Sequence, residues 1–151
     1  MRVDFESDLE GWQTLPNARP SDALDRIEQS TALAHHGSGA LRMVFDGQST
    51  TPPPILFDPG PFFGVYAASS PPPGAEVSLW MFSTAAGVSV AVYAQTSPTL
   101  APTVLVTVPL PESAWREIGV SMPLAAAQQF GIRVDAPADV RGDVYLDEIR
   151  W

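Results

Sequence analysis

The sequence predicts an all-β protein, an antiparallel β-sandwich, and three observations lead to that prediction. The 16 Pro and 11 Gly among 151 residues interrupt the chain too often for long helices. The runs between them are rich in Val, Ile, Phe, Tyr and Thr and alternate with period two, which is typical of half-buried strands. No strand–helix–strand alternation is visible, which argues against a parallel sheet. We expect one domain over residues 1–151, since a chain of this length builds a single core.

The candidate strands follow one another along the chain. Six are clear: Ala75–Thr84, Val88–Gln95, Thr103–Val108, Trp115–Met122, Gln129–Asp135 and Asp143–Trp151. Four are weaker: Arg2–Glu6, Arg26–Thr31, Ala40–Phe45 and Phe62–Ala67. They are separated by two proline-rich loops, a hairpin turn and a further break, at Thr51–Pro54, Ser69–Gly74, Ala85–Gly87 and Pro109–Glu112. The stretch Leu124–Gln129 is compatible with one helical turn, and Trp12, which follows a turn, is expected to plug one end of the sandwich.

Composition excludes several classes of function. Eight basic and 17 acidic side chains give a net charge of −9, which argues against nucleic acid and anionic membranes as partners. The absence of Cys excludes thiol nucleophiles, disulfides and thiolate metal sites. All basic residues are Arg, so Schiff-base lysines and the P-loop lysine are also excluded. We find neither a membrane-spanning apolar run nor a signal peptide, and any export leader would have to lie outside this sequence.

Three segments of the chain carry distinctive motifs. The chain opens with Asp-Phe-Glu-Ser at residues 4–7 and Gly-Trp at 11–12, a small-residue loop leads into a strand at 35–43, and the chain closes with Gly-Asp-Val-Tyr-Leu-Asp-Glu-Ile-Arg-Trp at 142–151. In order and spacing these segments resemble the first strand, a loop and the last strand of jelly-roll, galactose-binding-like carbohydrate-binding modules of the kind appended to glycoside hydrolases. The resemblance implies a jelly roll, a polysaccharide or oligosaccharide ligand, neighbouring domains in a longer chain, and secretion.

The same resemblance implies a structural Ca²⁺ where the first and last strands meet. The residues that it carries over are Asp4, Glu6, Ser38 and Asp147, of which Glu6 and Asp147 are the best matched. Ca²⁺ favours six to eight oxygens from carboxylates, carbonyls and water, and small loop residues let carbonyls approach closely. The alternative is that these carboxylates are solvated surface charges. The adjacent His35 and His36 point to opposite sides and are assigned no role.

A sugar-binding surface is expected on the concave face of one sheet. Period-two parity places aromatic and polar residues together on one face of three strands: Trp80, Phe82, Tyr93, Gln95, Gln129, Arg133 and Asp135. Aromatic rings stack on the C–H face of a pyranose, while amide, guanidinium and carboxylate groups match its hydroxyls. The alternative that Trp80 and Phe82 fill the core is left open, and parity does not decide whether Phe62–Tyr66 lines the groove or the core.

Two other classes of function compete with sugar binding. A non-catalytic structural or protein-interaction sandwich would have the same fold, because fold alone fixes no function. A small jelly-roll glycoside hydrolase would use Glu6, Asp8 and Glu10, whose spacing places three carboxylates on one face of an extended strand. We expect no enzymatic activity, since that segment runs directly into Gly11-Trp12 and the chain is short for a catalytic cleft.

Overall fold

The computed structural model describes residues 1–14, 24–45, 63–67, 70–97, 102–136 and 140–151. Within these ranges the chain forms strands and no helix, which confirms the all-β prediction. The strands are β1 (Arg2–Val3), β2 (Trp12–Thr14), β3 (Leu24–Ser30), β4 (Ala40–Phe45), β5 (Phe63–Ala67), β6 (Glu76–Ser83), β7 (Ser89–Gln95), β8 (Thr103–Pro109), β9 (Trp115–Ser121), β10 (Gln129–Asp135) and β11 (Gly142–Arg150).

The described strands form two antiparallel sheets. The six-stranded sheet has the order β3-β4-β11-β6-β9, with β1 paired to β11. The five-stranded sheet has the order β2-β5-β10-β7-β8. Strands β6 and β7, consecutive in sequence, lie in different sheets, so the turn at Ala85–Gly87 crosses the sandwich and the prediction of a hairpin there is wrong.

Apolar residues at alternate positions fill the space between the sheets. Val77, Leu79 and Met81 of β6 are 2% exposed or less, and the residues between them are half-buried and face outwards. Strand β10 likewise buries Phe130, Ile132 and Val134. At about 25 cal/mol per Å² of apolar surface removed from water, this shared core is the main source of stability.

The first and last strands are neighbours, as the sequence predicts. Val3 is paired with Ile149, and the Met1 amino group hydrogen-bonds the Trp151 carbonyl. Strand β1 ends at Val3, three residues earlier than predicted, because Phe5 has a left-handed φ of 53° that a strand does not accommodate.

One short segment differs from expectation, and others lie outside the described residues. Trp12 is buried at the start of the edge strand β2 and contacts the rings of Phe5 and Phe130 edge-on, at 6.2 Å in each case. Residues 124–128 form no helical turn. The loop Thr51–Pro54, Phe62 and the first residue of Ser69–Gly74 fall outside the described ranges. No helix in the described part of the chain is long and apolar enough to span a membrane.

Candidate functional site

Two carboxylates clamp the loop of residues 35–39, where the ends of the chain meet. Asp147 of β11 accepts hydrogen bonds from the backbone amides of His35 (2.8 Å) and His36 (2.9 Å) on its Oδ2. Glu6 accepts from the Ser38 amide (2.9 Å) and the Ser38 hydroxyl (2.7 Å). The structure therefore brings together three of the four predicted metal ligands, namely Glu6, Ser38 and Asp147.

Gly37 and Gly39 let this junction close. A Cβ on Gly37 would lie 1.9 Å from a Glu6 carboxylate oxygen, and one on Gly39 would lie 2.3 Å from the Phe5 carbonyl oxygen. Gly37 also has a φ of 70°, which L side chains rarely adopt. The two glycines thus allow the close approach between this loop and the opening of the chain at Phe5 and Glu6.

Asp147 carries an unpaired oxygen at this junction. The residue is fully buried, and its Oδ1 has no hydrogen-bond partner. Burial raises the pKa of Asp147, the two amide hydrogen bonds lower it, and the neighbouring charge of Glu6 raises it further. A buried carboxylate with an unpaired oxygen, on the same loop as a second carboxylate, offers the hard oxygen ligands that a cation such as Ca²⁺ prefers.

The fourth predicted ligand lies elsewhere. Asp4 faces Arg2, with 3.6 Å between Arg2 Nε and Asp4 Oδ2. Among the described residues, no group of three or more His, Asp or Glu side chains converges as a metal site. An oxygen-rich calcium site at the junction would therefore depend on backbone carbonyls and water in addition to the two carboxylates.

The geometry required by the hydrolase alternative is absent from the opening segment. Residues 4–11 form no strand, and Phe5 and Glu10 both have positive φ. Glu10 accepts the Phe5 amide at 3.1 Å, and Asp8 accepts the Glu10 amide at 2.6 Å. Asp8 and Glu10 thus accept local backbone amides, whereas Glu6 accepts from Ser38, and the three carboxylates do not line one face of a strand.

The seven predicted sugar-binding residues do not share one surface, which corrects the expectation of a single sheet face. Trp80 and Phe82 are on β6, in the six-stranded sheet. The other five are on β7 and β10, in the five-stranded sheet: Tyr93, Gln95, Gln129, Arg133 and Asp135. Both sets face outwards, so they lie on opposite sides of the sandwich.

The outer face of the five-stranded sheet carries two tyrosines that flank a glycine. Gln13, Tyr66, Gly131 and Tyr93 are successive cross-strand neighbours on β2, β5, β10 and β7. A Cβ on Gly131 would lie 2.4 Å from Cζ and Oη of Tyr93, so the end of the Tyr93 ring lies directly over the glycine. The isolated Gly in a strand pattern is the sequence signal that could have revealed this close approach.

Tyr93 is buried on this outer face, and its hydroxyl is unpaired. The residue is 4% exposed, and Oη has no hydrogen-bond partner. Burial raises the pKa of Tyr93 far above its usual range, and neighbouring Tyr66 contributes to the shift. Tyr66, which parity left undecided, is half-buried and donates a 3.2 Å hydrogen bond to the Gln13 side chain.

Half-buried polar side chains continue the same surface along β10. Arg133 and Asp135 form an ion pair of 3.1 Å, and Gln129 is paired in register with Gln95 of β7. The surface therefore combines phenol, amide, guanidinium and carboxylate groups, and its one ion pair leaves it with little net charge. We call these six residues the tyrosine face: Tyr66, Tyr93, Gln95, Gln129, Arg133 and Asp135.

The outer face of the six-stranded sheet carries a separate aromatic cluster. Trp80 and Phe82 are half-buried on this face and are not part of the core. The His35 ring stacks on Trp80, with 3.8 Å between centroids and 11° between planes. Phe82 contacts Trp115 at 5.5 Å and Tyr145 at 6.1 Å. The stack joins a loop to a strand far away in the chain, so no local pattern around His35 predicts it.

Comparison with solved structures agrees with the fold. No protein-family model matches the chain, and no curated protein sequence matches it. The K1 cleaved adhesin domain of Lys-gingipain from Porphyromonas gingivalis is 16% identical, with a TM-score of 0.71 over 99% of this chain and 95% of that one. A CBM22-1 xylan-binding domain from Paenibacillus barcinonensis is 11% identical, with a TM-score of 0.64 over 99% and 92%.

A third similar structure is TmCBM61 in complex with β-1,4-galactotriose, 15% identical, with a TM-score of 0.59 over 97% of this chain and 91% of that one. At such identities the likeness shows the fold alone. The fold is thus a jelly-roll β-sandwich, shared with the adhesin domain and with the two carbohydrate-binding modules, and the resemblance inferred from the sequence is confirmed for the fold.

Proposed function

We propose that this protein is a non-catalytic carbohydrate-binding module whose ligand lies on the tyrosine face. The observation that carries the proposal is the unpaired hydroxyl of Tyr93, buried among amide and charged side chains on the outer face of a sheet. Buried polar groups in folded proteins are nearly always hydrogen-bonded, so the Tyr93 hydroxyl needs a partner, and we assign that partner to a bound sugar. The similar structures include a xylan-binding domain and a galactotriose complex, which makes the two glycans the first ligands to test.

The chemistry of the tyrosine face suits a sugar. The half-buried ring of Tyr66 offers an apolar surface for pyranose C–H groups, and Gln95 and Gln129 each provide an amide donor and acceptor. The Arg133–Asp135 pair presents donors and acceptors with little net charge, so it can match hydroxyls without favouring a charged ligand. A module that binds polysaccharide would work outside the cell, and secretion is part of the proposal.

Calorimetric titration with xylohexaose, β-1,4-galactotriose and a panel of other polysaccharides tests the site. Tyr66→Ala and Arg133→Gln are each expected to weaken binding by about tenfold, the usual effect of removing a central aromatic or Arg contact. Trp80→Ala, on the opposite sheet, is the matched control and should bind as the wild type does. Sensitivity to Trp80→Ala but not to Tyr66→Ala would relocate the site, and failure to bind any glycan would favour a structural or protein-binding role.

A structural Ca²⁺ at the junction of Glu6 and Asp147 is the second part of the proposal. The donor set fits, because Asp147 Oδ1 is buried and unpaired and Glu6 binds the same loop as Asp147 does. When bound, the ion would supply positive charge between two carboxylates. Asp147 and Glu6 would hold it while keeping their hydrogen bonds to the loop of residues 35–39. Its role would be to cross-link the two ends of the chain.

A further inference from the structure

The aromatic cluster on the six-stranded sheet reaches an open sheet edge. Strand β9 pairs with β6 on one side, and no described strand pairs with its other side. Trp115, Glu117, Gly119 and Ser121 are the outward residues of β9, since Ile118 and Val120 between them are buried. An open edge presents unpaired backbone groups, onto which an extended segment can add as a further strand.

Negative charge at this edge has no described counter-ion. Glu117 is exposed and lies opposite Trp80 in register, and its side chain makes no ion pair or hydrogen bond with any residue that the structure describes. Its basic neighbour on β9, Arg116, donates instead to the Pro109 carbonyl at 2.9 Å. In contrast, Arg42 on the same outer face is bound by Glu28 and Asp143, each at 2.7 Å. Arg150 is likewise bound to Glu148. The β6–β9 end of the face therefore attracts cations.

The ring geometry disfavours a sugar at this cluster. The planes of Phe82 and Trp115 meet at 54°, those of His35 and Trp115 at 67°, and His35 already covers one face of Trp80. A pyranose stacks on a flat platform, which steeply inclined rings do not offer. A cationic side chain, by contrast, needs only the face of one half-exposed ring, with Trp the most favourable, and gains from an adjacent carboxylate.

We propose that the β9 edge binds an extended basic segment of a partner protein, which adds as a strand beside β9. Its alternate residues face the outer side of the sheet, so Arg or Lys residues two apart would lie opposite Trp115 and Glu117. The residue two further along lies opposite Gly119, where an added Cβ would meet nothing within 4 Å, so a bulky side chain fits there. This site is independent of the tyrosine face, which belongs to the other sheet.

Titration with a synthetic peptide tests the proposal on the full chain. The probe is acetyl-Thr-Arg-Thr-Arg-Thr-Arg-amide at low ionic strength, followed by calorimetry and tryptophan fluorescence. Its Gln counterpart, with every Arg replaced, should bind at least about fivefold more weakly, since each exposed ion pair or cation–π contact contributes up to ~1 kcal/mol. A peptide N-methylated on the amides that would pair with β9 should lose binding, because those hydrogen bonds cannot form.

Single substitutions locate the site. Glu117→Gln is expected to weaken the Arg peptide about threefold to fivefold, and Trp115→Leu by a similar factor. Glu112→Gln, in the loop before β9, changes the net charge by the same amount as Glu117→Gln and should leave the affinity for the peptide unchanged. Tyr66→Ala, on the tyrosine face, should also leave it unchanged. Circular dichroism confirms that each variant is folded.

The proposal is overturned if the Arg peptide does not bind, or if Glu117→Gln binds it as the wild type does. It is also overturned if the cluster instead holds a glycan, seen as sugar binding lost in Trp115→Leu but not in Tyr66→Ala. Dimerisation of the chain alone that Trp115→Leu abolishes in sedimentation equilibrium would assign the face to a second copy and reject a basic partner. If the Arg peptide does not bind, Glu117 is explained as a charge that protects an open sheet edge from aggregation.

Discussion

Gly131→Ala is the substitution that most directly tests the arrangement of the tyrosine face. The new Cβ would lie 2.4 Å from Cζ and Oη of Tyr93 and 2.7 Å from its Cε1. The ring end must therefore retreat by about 1 Å to reach the 3.4 Å of ordinary contact. Because Tyr93 is 4% exposed and β10 is held on both sides by β5 and β7, neither the ring nor the backbone yields freely.

The expected destabilisation follows from these contacts. Overpacking a buried site costs about 1–3 kcal/mol. Replacing Gly by Ala within a strand returns roughly 0.5–1 kcal/mol. The net loss in the free energy of unfolding should therefore be about 0–2.5 kcal/mol, measured by urea denaturation with the m-value unchanged. Gly119→Ala is the matched control, since a Cβ there meets nothing within 4 Å, and it should be neutral or slightly stabilising.

A double-mutant cycle separates the clash from other effects of the methyl group. In a Tyr93→Leu background the long ring is absent, so Gly131→Ala should cost little or nothing. The coupling between the two substitutions then equals most of the penalty seen in the wild type. Equal stability of Gly131→Ala and Gly119→Ala would refute the close approach of Tyr93. A penalty that persists undiminished with Leu at residue 93 would refute its assignment to the tyrosine ring.

Three further predictions concern the charged residues. Ca²⁺ at about a hundredfold excess over its Kd should raise the Tm measured by calorimetry by roughly 5–10 °C. Mg²⁺ should not raise the Tm, and either Asp147→Asn or Glu6→Gln should remove the shift that Ca²⁺ causes. In EDTA, the raised pKa of Asp147 means that the folded state binds more protons than the unfolded state does. The contribution of Asp147 to stability should therefore fall as pH rises above about 4. A Tm–pH series in which Asp147→Asn has the same slope as the wild type would contradict this. Arg42→Met should lower stability by about 1 kcal/mol at pH 7. Arg42 lowers the pKa of Glu28, so the part of the stability loss that comes from the Arg42–Glu28 pair should disappear as pH falls through that lowered pKa. If urea denaturation gives the same stability difference between Arg42→Met and the wild type at every pH, lost packing alone explains the effect.

The sequence established the strands and the core because both depend on local alternation. Strand β10 was predicted with its observed bounds, Gln129–Asp135, and β6 within one residue at each end. The inward residues Leu79 and Ile132 followed from parity alone and are fully buried. Glu6 and Asp147 bind the same loop, and their convergence was expected from resemblance to a known family; that they hold one ion stays a prediction.

Which outward residues share a surface was decided only by the tertiary structure. Parity states which side of a strand faces the core, but it does not assign the strand to a sheet. Trp80 and Tyr93 were therefore expected on one surface, whereas the turn after β6 crosses the sandwich and places them on different sheets. The stack of His35 on Trp80 depends in the same way on a contact between distant segments, which no local pattern encodes. The alternation of residues is a local property of the chain, whereas the composition of a surface depends on which strands become neighbours when the chain packs.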